Sequence, residues 1–347
     1  MSKPTNVTTT PIRWGILSTA KIAVKQVIPA MQKGQLTQVL GIASRDKAKA
    51  EAVARELGIP RAYGSYEALL ADPDIDAVYN PLPNHMHVPW TLKALAAGKH
   101  VLCEKPLALD AAEARSLWDA AGSYPGLKVM EAFMYRFHPQ WIKARALVQS
   151  GELGEVRTIQ SFFSYYNDDP ANIRNMADTG GGGLMDIGCY CISFPRFLLD
   201  AEPSRVIGLI ARDPVLEVDR LSSGMLDFLG DVQATFTCST QLAPYQRVHI
   251  LGTLGHLEVE IPANPPAWGE TRLILHKVGA PGSPGGSGST EVIQLEPSNH
   301  YTLQGDAFAR AILEGKEVPT PLIDTVSNMA VIDALFRSGK EERWVKV

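Results

Sequence analysis

Long apolar runs are absent from the 347 residues of this chain. A helix needs about 20 consecutive apolar residues to cross a bilayer, so no membrane partner is expected. Cysteine is scarce: Cys103, Cys189, Cys191 and Cys238 give no disulfide framework in so long a chain, and a reducing cytoplasm is the expected location. Excess positive charge is missing too. The 33 Lys and Arg stand against 37 Asp and Glu, a formal net charge of -4, so no broad face attracts a polyanion and nucleic acid is excluded as a partner. The polar, Thr-rich start lacks the apolar core of a secretion signal and reads as a flexible extension over residues 1–10. No internal repeat occurs. What is present is the balance of a soluble globular protein, 45% hydrophobic and 20% charged, in a length that suits two domains sharing one cleft.

The first third alternates strand and helix signals. Ile12–Leu17, Gln38–Ala43, Asp76–Tyr79, His100–Cys103 and Leu127–Glu131 read as strands. Lys21–Met31, Lys47–Leu57 (stopped by Gly58), Val88–Ala97 (stopped by Gly98) and Ala111–Ala121 read as the helices between them. Right-handed crossovers turn that pattern into a doubly wound parallel sheet, a Rossmann α/β domain assigned to residues 11–127. From about Val156 the rhythm changes. Val156–Tyr165, Arg205–Arg212, Arg220–Phe228, Val232–Ser239, Arg247–Gly252 and His256–Ile261 follow one another across short turns, predicting an antiparallel sheet in an α+β domain over 128–347. Pro281–Thr290, rich in Gly, Ser and Pro, reads as a loop between two late strands, and helices near Leu303–Glu314 and Asp324–Arg337 close the chain.

The turn after the first strand is where a Rossmann fold cradles pyrophosphate. Here it reads Ser18-Thr19-Ala20-Lys21-Ile22-Ala23, with Ser and Ala where two glycines are expected. Alone it equally describes a generic strand-to-helix turn; the complete βαβ unit around it favours the dinucleotide. After the second strand an acidic residue would serve the ribose of NAD, and a cation the 2′-phosphate of NADP. Ser44 and Arg45 stand there, with Lys49 four residues on, a hydroxyl and two cations suited to a phosphate dianion. Asp46 keeps NAD open as the alternative to NADP.

Two further elements carry chemistry. Glu104-Lys105-Pro106 follows the strand His100–Cys103 at its carboxyl end, where parallel sheets bind ligands. Pro106 allows a cis peptide bond there. Gly180-Gly181-Gly182-Gly183 precedes Leu184-Met185-Asp186-Ile187-Gly188-Cys189-Tyr190, and the spacing of four puts Asp186 and Tyr190 on one helix face. Each element has an ordinary reading, a solvated loop lysine and a half-buried tyrosine. Together they fit a dehydrogenase, which needs a positioned base because a hydroxyl proton must leave as hydride moves. A free phenol, with pKa of about 10, is a poor base, and Lys105 is expected to lower that value while Asp186 holds a substrate hydroxyl. No metal is required.

Ala97-Gly98-Lys99-His100-Val101-Leu102-Cys103-Glu104-Lys105-Pro106, Glu131-Ala132-Phe133-Met134-Tyr135-Arg136-Phe137-His138-Pro139 and the Asp186-to-Tyr190 pattern resemble the glucose–fructose oxidoreductase and inositol dehydrogenase family over nearly the whole chain. The resemblance implies a Rossmann domain followed by an open-faced antiparallel sheet whose far face is often used in dimers, hence a homodimer or higher homo-oligomer. Tyr190, where many members have histidine, is similar to the branch of NADP-dependent xylose dehydrogenases and dimeric dihydrodiol dehydrogenases. That branch implies Tyr190 as acid/base and Lys105 as its support. Asn80, Pro81, Leu82, Asn84 and His87 resemble the family loop under nicotinamide and ribose; Glu104 and Lys105 join them as cofactor contacts.

His85 and His87 have no carboxylate or cysteine at zinc spacing and are assigned to ribose and loop contacts. Arg136 and His138 are candidates for nicotinamide or substrate contact, with local structural bonding as the equal alternative. Asn172 and Arg174 are weaker substrate candidates. Cys189 and Cys191 read as core fillers, and Phe162, Phe163, Tyr165 and Tyr166 as packing residues of a strand. The expected activity is an NADP-dependent exchange of hydride with an aldose, polyol or diol. Its rivals are a non-catalytic sugar- or nucleotide-binding regulator and a sugar–sugar oxidoreductase that never releases its nucleotide.

Overall fold

The structure is a computed structural model that describes residues 10–279 and 288–347. Most of the N-terminal extension and most of the Gly/Ser/Pro-rich stretch lie outside the described residues. Six parallel strands form the first sheet: β1 (Ile12–Leu17), β2 (Thr37–Ala43), β3 (Arg61–Tyr63), β4 (Ala77–Asn80), β5 (His100–Cys103) and β6 (Val129–Glu131). Their order is β3-β2-β1-β4-β5-β6. The apolar runs are covered on both faces: Trp14, Ile16 and Leu17 of β1 and Val101, Leu102 and Cys103 of β5 are buried. The connection reverses between β1 and β4, and that switch point is where such a sheet opens a ligand crevice.

The helix Lys47–Leu57 shows why the sequence folds here as read. Asp46 caps its start by accepting from Lys49 N at 3.2 Å, and Gly58 ends it in the left-handed region at φ 65°. Strand β3 and the short helix Tyr66–Leu70 went unread because three to five residues carry no periodicity. A further helix, Pro139–Gln149, follows β6.

Among the described residues the second sheet has nine strands: β7 (Val156–Tyr166), β8 (Pro203–Arg212), β9 (Asp219–Phe228), β10 (Val232–Ser239), β11 (Gln241–Gly252), β12 (Gly255–Val259), β13 (Thr271–Lys277), β14 (Ser289–Leu295) and β15 (Val345–Lys346). They run in the order β14-β13-β12-β11-β7-β10-β9-β8-β15. Pairing is antiparallel except between β7 and β10, so the sheet is mixed rather than purely antiparallel. The long connection between those two strands, with its helix, is what permits a parallel pair. In register across the sheet, Val206, Leu226, Ala234, Ile159, Ile250, Leu257 and Leu275 make one continuous buried row. The helices Cys189–Leu199 and Leu322–Glu341 pack against this sheet.

Strand β6 belongs to the parallel sheet, which therefore extends to Glu131. The C-terminal helices also return to the first domain. Asp306, on the helix His300–Leu313, accepts from the backbone of Gln35 and Leu36 at 3.0 and 2.9 Å, and Asp333 accepts from Ala111 N at 2.9 Å.

Candidate active site

Beyond Cys103 the chain leaves β5 through Glu104 and Lys105, and the Lys105–Pro106 peptide bond is cis. Two buried contacts fix this loop. Tyr79, at the end of β4, donates to Glu104 Oε1 at 2.6 Å. Glu131, at the end of β6, accepts from Leu107 N and from the Thr325 hydroxyl, both at 2.8 Å, which ties the loop to the C-terminal helix. Burial pushes the Glu131 carboxyl up to about 7 against the pull of those two donors. An acid with a raised pKa stabilises the fold when protonated. That contribution is complete below its usual value of 4.5 and is lost as pH rises through about 7. Thermal stability of the wild type is therefore expected to fall across that window, and a Glu131→Gln variant to show a flatter melting profile in scanning calorimetry.

The second element begins in the glycine run. Gly180 and Gly182 take φ of 79° and 119°, and a Cβ on Gly182 would stand 2.2 Å from Asp219 Oδ1. Asp219 accepts from Leu184 N at 2.6 Å and so anchors the following helical turn, a π turn over Leu184–Gly188 that leads into the helix Cys189–Leu199. That turn delivers Asp186 and Tyr190 to the cleft.

Lys105 meets them both. Its Nζ donates to the Asp186 backbone oxygen at 2.6 Å and to Oδ1 at 3.1 Å, and lies 4.9 Å from the centroid of the Tyr190 ring. Oδ2 of Asp186 accepts from the Tyr165 hydroxyl at 2.6 Å and faces Arg174 Nε at 3.1 Å. Burial opposes both charges, but the mutual attraction wins: Asp186 is held well below the usual carboxylate range and Lys105 above its ordinary value. The Tyr190 hydroxyl donates to Met134 Sδ at 3.2 Å, and the residue is 4% exposed. Burial, with Glu104 nearby, pushes its phenol well above 10, the reverse of the lowering expected from Lys105, because burial outweighs the ammonium.

These groups line one cavity of about 1250 Å³, larger than a single small ligand needs. The same cavity is lined by Ser18, Ala20, Lys21, Ile22, Lys25 and Arg45 of the turns after β1 and β2, and by Pro81, Leu82 and Asn84 after β4. Ser18 holds φ at 123°, a region that side chains rarely adopt, so the tight turn is kept without its glycine. Lys21, Lys25 and Arg45 are in no ion pair among the described residues, and the helix N-terminus opens beside them. A phosphorylated dinucleotide fits there.

Several expected residues lie elsewhere. Ser44 is buried and accepts from Asp46 N; Thr19 and Lys49 do not line the cavity, and the Asp46 carboxylate is engaged as a helix cap. Asn80 is fully buried and bonds within its own loop, to His87 O and Leu82 N. His87 touches the cavity wall, but its ring nitrogens face the carbonyls of Pro106 and Leu82 at 2.8 and 2.6 Å, leaving none for a ribose. Arg136 turns away to Asp324 at 2.9 Å and Ser193 at 2.8 Å, and His138 is buried against His300 and caps a helix through Gln140 N. Asn172 and Arg174 do reach the cavity, and Asn84 donates to Gly180 O at 2.9 Å, joining the loop after β4 to the glycine run. Lys25 and Tyr66 line the cavity as well, and so does Tyr165, which the sequence reads as a packing residue of its strand. Of these only Lys25 left a sequence signal, its spacing of four from Lys21.

A parallel sheet with its crevice at the switch point, and a second domain that brings a carboxylate and a phenol to a lysine there, define a two-domain dinucleotide-dependent oxidoreductase. Residues 12–132 match the oxidoreductase family with an NAD-binding Rossmann fold, and residues 141–258 match the GFO/IDH/MocA C-terminal domain. The chain belongs to the GFO/IDH/MocA oxidoreductase family. It is similar to D-xylose 1-dehydrogenase (NADP(+)) 2 of Haloferax volcanii, 41% identical over 94% of this chain and 97% of that protein. The 3-ketoreductase KijD10 of Actinomadura kijaniata, solved with NADP and TDP-benzene, is 31% identical with a TM-score of 0.86, covering 95% of this chain and 98% of that one. An aldose-aldose oxidoreductase of Caulobacter crescentus, solved with glycerol, is 28% identical with a TM-score of 0.87, covering 97% of this chain and 100% of that one.

Proposed function

We propose that this chain is an NADP-dependent oxidoreductase that moves a hydride between nicotinamide and a carbon of a sugar, polyol or diol, as an aldose dehydrogenase or a keto-sugar reductase. The observation that carries the reading is that Lys105, Asp186 and Tyr190 cluster in one cavity that Lys21, Lys25 and Arg45 also line. Arg45 favours NADP over NAD, since a guanidinium suits the 2′-phosphate and Asp46, the one acidic alternative, is engaged as a cap. The NADP named for two relatives supports the same choice.

When bound, NADP supplies or takes the hydride. In the reductive direction Tyr190, kept neutral by burial, donates its proton to a carbonyl oxygen as the attached carbon gains hydride; in the oxidative direction it takes the proton back. The Met134 thioether is a weak acceptor that a substrate oxygen displaces. Lys105 stabilises the phenolate left behind, and its third N–H, not used on Asp186, is available to the substrate oxygen. Asp186 holds Lys105 in place, and Asn172 and Arg174 form the substrate rim. A reducing cytoplasm suits the four free, buried cysteines. A second copy covering the sheet face on which Leu209 stands 77% exposed would make the assembly a homodimer or higher oligomer.

The test is steady-state turnover of aldoses, polyols and trans-dihydrodiols with NADP and NAD in parallel. We expect kcat/KM with NADP to exceed that with NAD by at least ~10-fold, and Arg45→Ala to remove most of that preference, as loss of one charge-assisted phosphate contact should. Nucleotide binding without turnover on every substrate would overturn the reading in favour of a non-catalytic binder. A second reading, an enzyme that shuttles hydride between two sugars on a nucleotide it never releases, is favoured by the Caulobacter crescentus similarity; nucleotide absorbance in the purified protein separates the two.

A further inference from the structure

We infer that Tyr165 is a positioning residue of this site, holding Asp186 and, through it, Lys105 in the cavity. The inference rests on the function proposed above. Tyr165 lies on β7 in the middle of the nine-stranded sheet, on the same face as the buried Ile159 and Phe163, and its ring lines the cavity. Its hydroxyl has one hydrogen bond among the described residues, 2.6 Å to Asp186 Oδ2. Arg174 Nε approaches the same oxygen at 3.1 Å, and Lys105 Nζ takes Oδ1 at 3.1 Å.

A carboxylate on a helical turn has a broad, nearly two-fold freedom about its last torsion. Three donors on two oxygens remove that freedom. Lys105 depends on the outcome, because its two acceptors among the described residues are the carboxylate and the backbone oxygen of this one residue. Contacts therefore run from the second domain's sheet, through Asp186, to the loop after β5 in the first domain. Arg174 cannot replace Tyr165 in this, since its side chain is 43% exposed and sits on a rim, whereas Tyr165 is held by a strand. The phenylalanine variant removes one oxygen and keeps the ring, so the packing of β7 is preserved.

The experiment compares Tyr165→Phe, Asp186→Asn and the double variant by three readouts. These are kcat and KM with the best substrate of the panel, NADPH affinity by fluorescence titration, and reductive methylation of Lys105 followed by peptide mass spectrometry without substrate. Loss of a hydrogen bond to a charged group predicts a kcat for Tyr165→Phe lower by about tenfold and Lys105 labelling faster by roughly threefold, with NADPH affinity unchanged. The double variant should be no slower than Asp186→Asn alone. Additive losses would mean that Tyr165 acts independently of Asp186, and unchanged Lys105 labelling would mean that the ammonium is not held through the carboxylate; either overturns the inference. Labelling needs no turnover. A chain inactive on every sugar would end the functional reading and leave this inference to be decided by the labelling alone.

Discussion

Tyr190→Phe is expected to lower turnover by at least ~10²-fold while leaving NADPH affinity unchanged, the scale on which a general acid/base is lost. The ring stays, so the edge-to-face contacts with Phe133 and Tyr135 that seat it persist and the fold has no cause to loosen. Only the hydroxyl goes, and its single partner among the described residues is a thioether, so little stability goes with it. Burial raises the phenol, which fixes the sign of the pH dependence. Reduction requires the protonated form and should run at a constant rate through the neutral range; oxidation requires the phenolate and should rise with pH. Steady-state rates in both directions check this. Near-normal turnover of the variant would remove the proton role from Tyr190.

Lys105→Met should be at least as damaging, about 10²- to 10³-fold in kcat, because it removes a preorganised charge next to the developing phenolate. It also leaves Asp186 without the ammonium on Oδ1, with Tyr165 and Arg174 still on Oδ2. A largely buried carboxylate deprived of one counter-charge is costly, so a lower melting temperature should accompany the lost activity. The two effects separate by titration: NADPH should still quench or enhance fluorescence normally, since the cations proposed for the phosphates are untouched. A variant that binds no nucleotide would mean that Lys105 serves binding and not chemistry.

Much of this arrangement was legible in the sequence. Alternating apolar runs and helix stops specify the parallel sheet, and a loop at the carboxyl end of β5 must then face the crevice. The spacing of Asp186 and Tyr190 puts them on one side of a helical turn, and the glycine run before them permits close approach. Beyond that, sequence order misleads. Arg136 and His138 follow β6 at the level of the crevice, yet the short helical turn over Met134–Phe137 sends one beneath to Asp324 and the other to His300. Tyr165 alternates inward on β7 as a core residue would; what it faces is decided by a turn some 20 residues further on, and no local pattern encodes that pairing. The direction of the Tyr190 shift was missed for a similar reason. Proximity of a lysine was legible, but not that burial of the phenol would outweigh its charge.

If this cavity transfers hydride to a sugar carbon, deuterium placed on the nicotinamide must appear in the sugar. The wild-type chain is incubated with NADPH deuterated at the transferring carbon and with a panel of keto-sugars and sugar lactones, and the products are analysed by mass spectrometry and NMR. At least one substrate is expected to gain a single deuterium on the former carbonyl carbon, with Tyr190→Phe suppressing the product. Labelled NADPH that binds but passes no deuterium to any member of the panel would contradict hydride transfer to a sugar carbon.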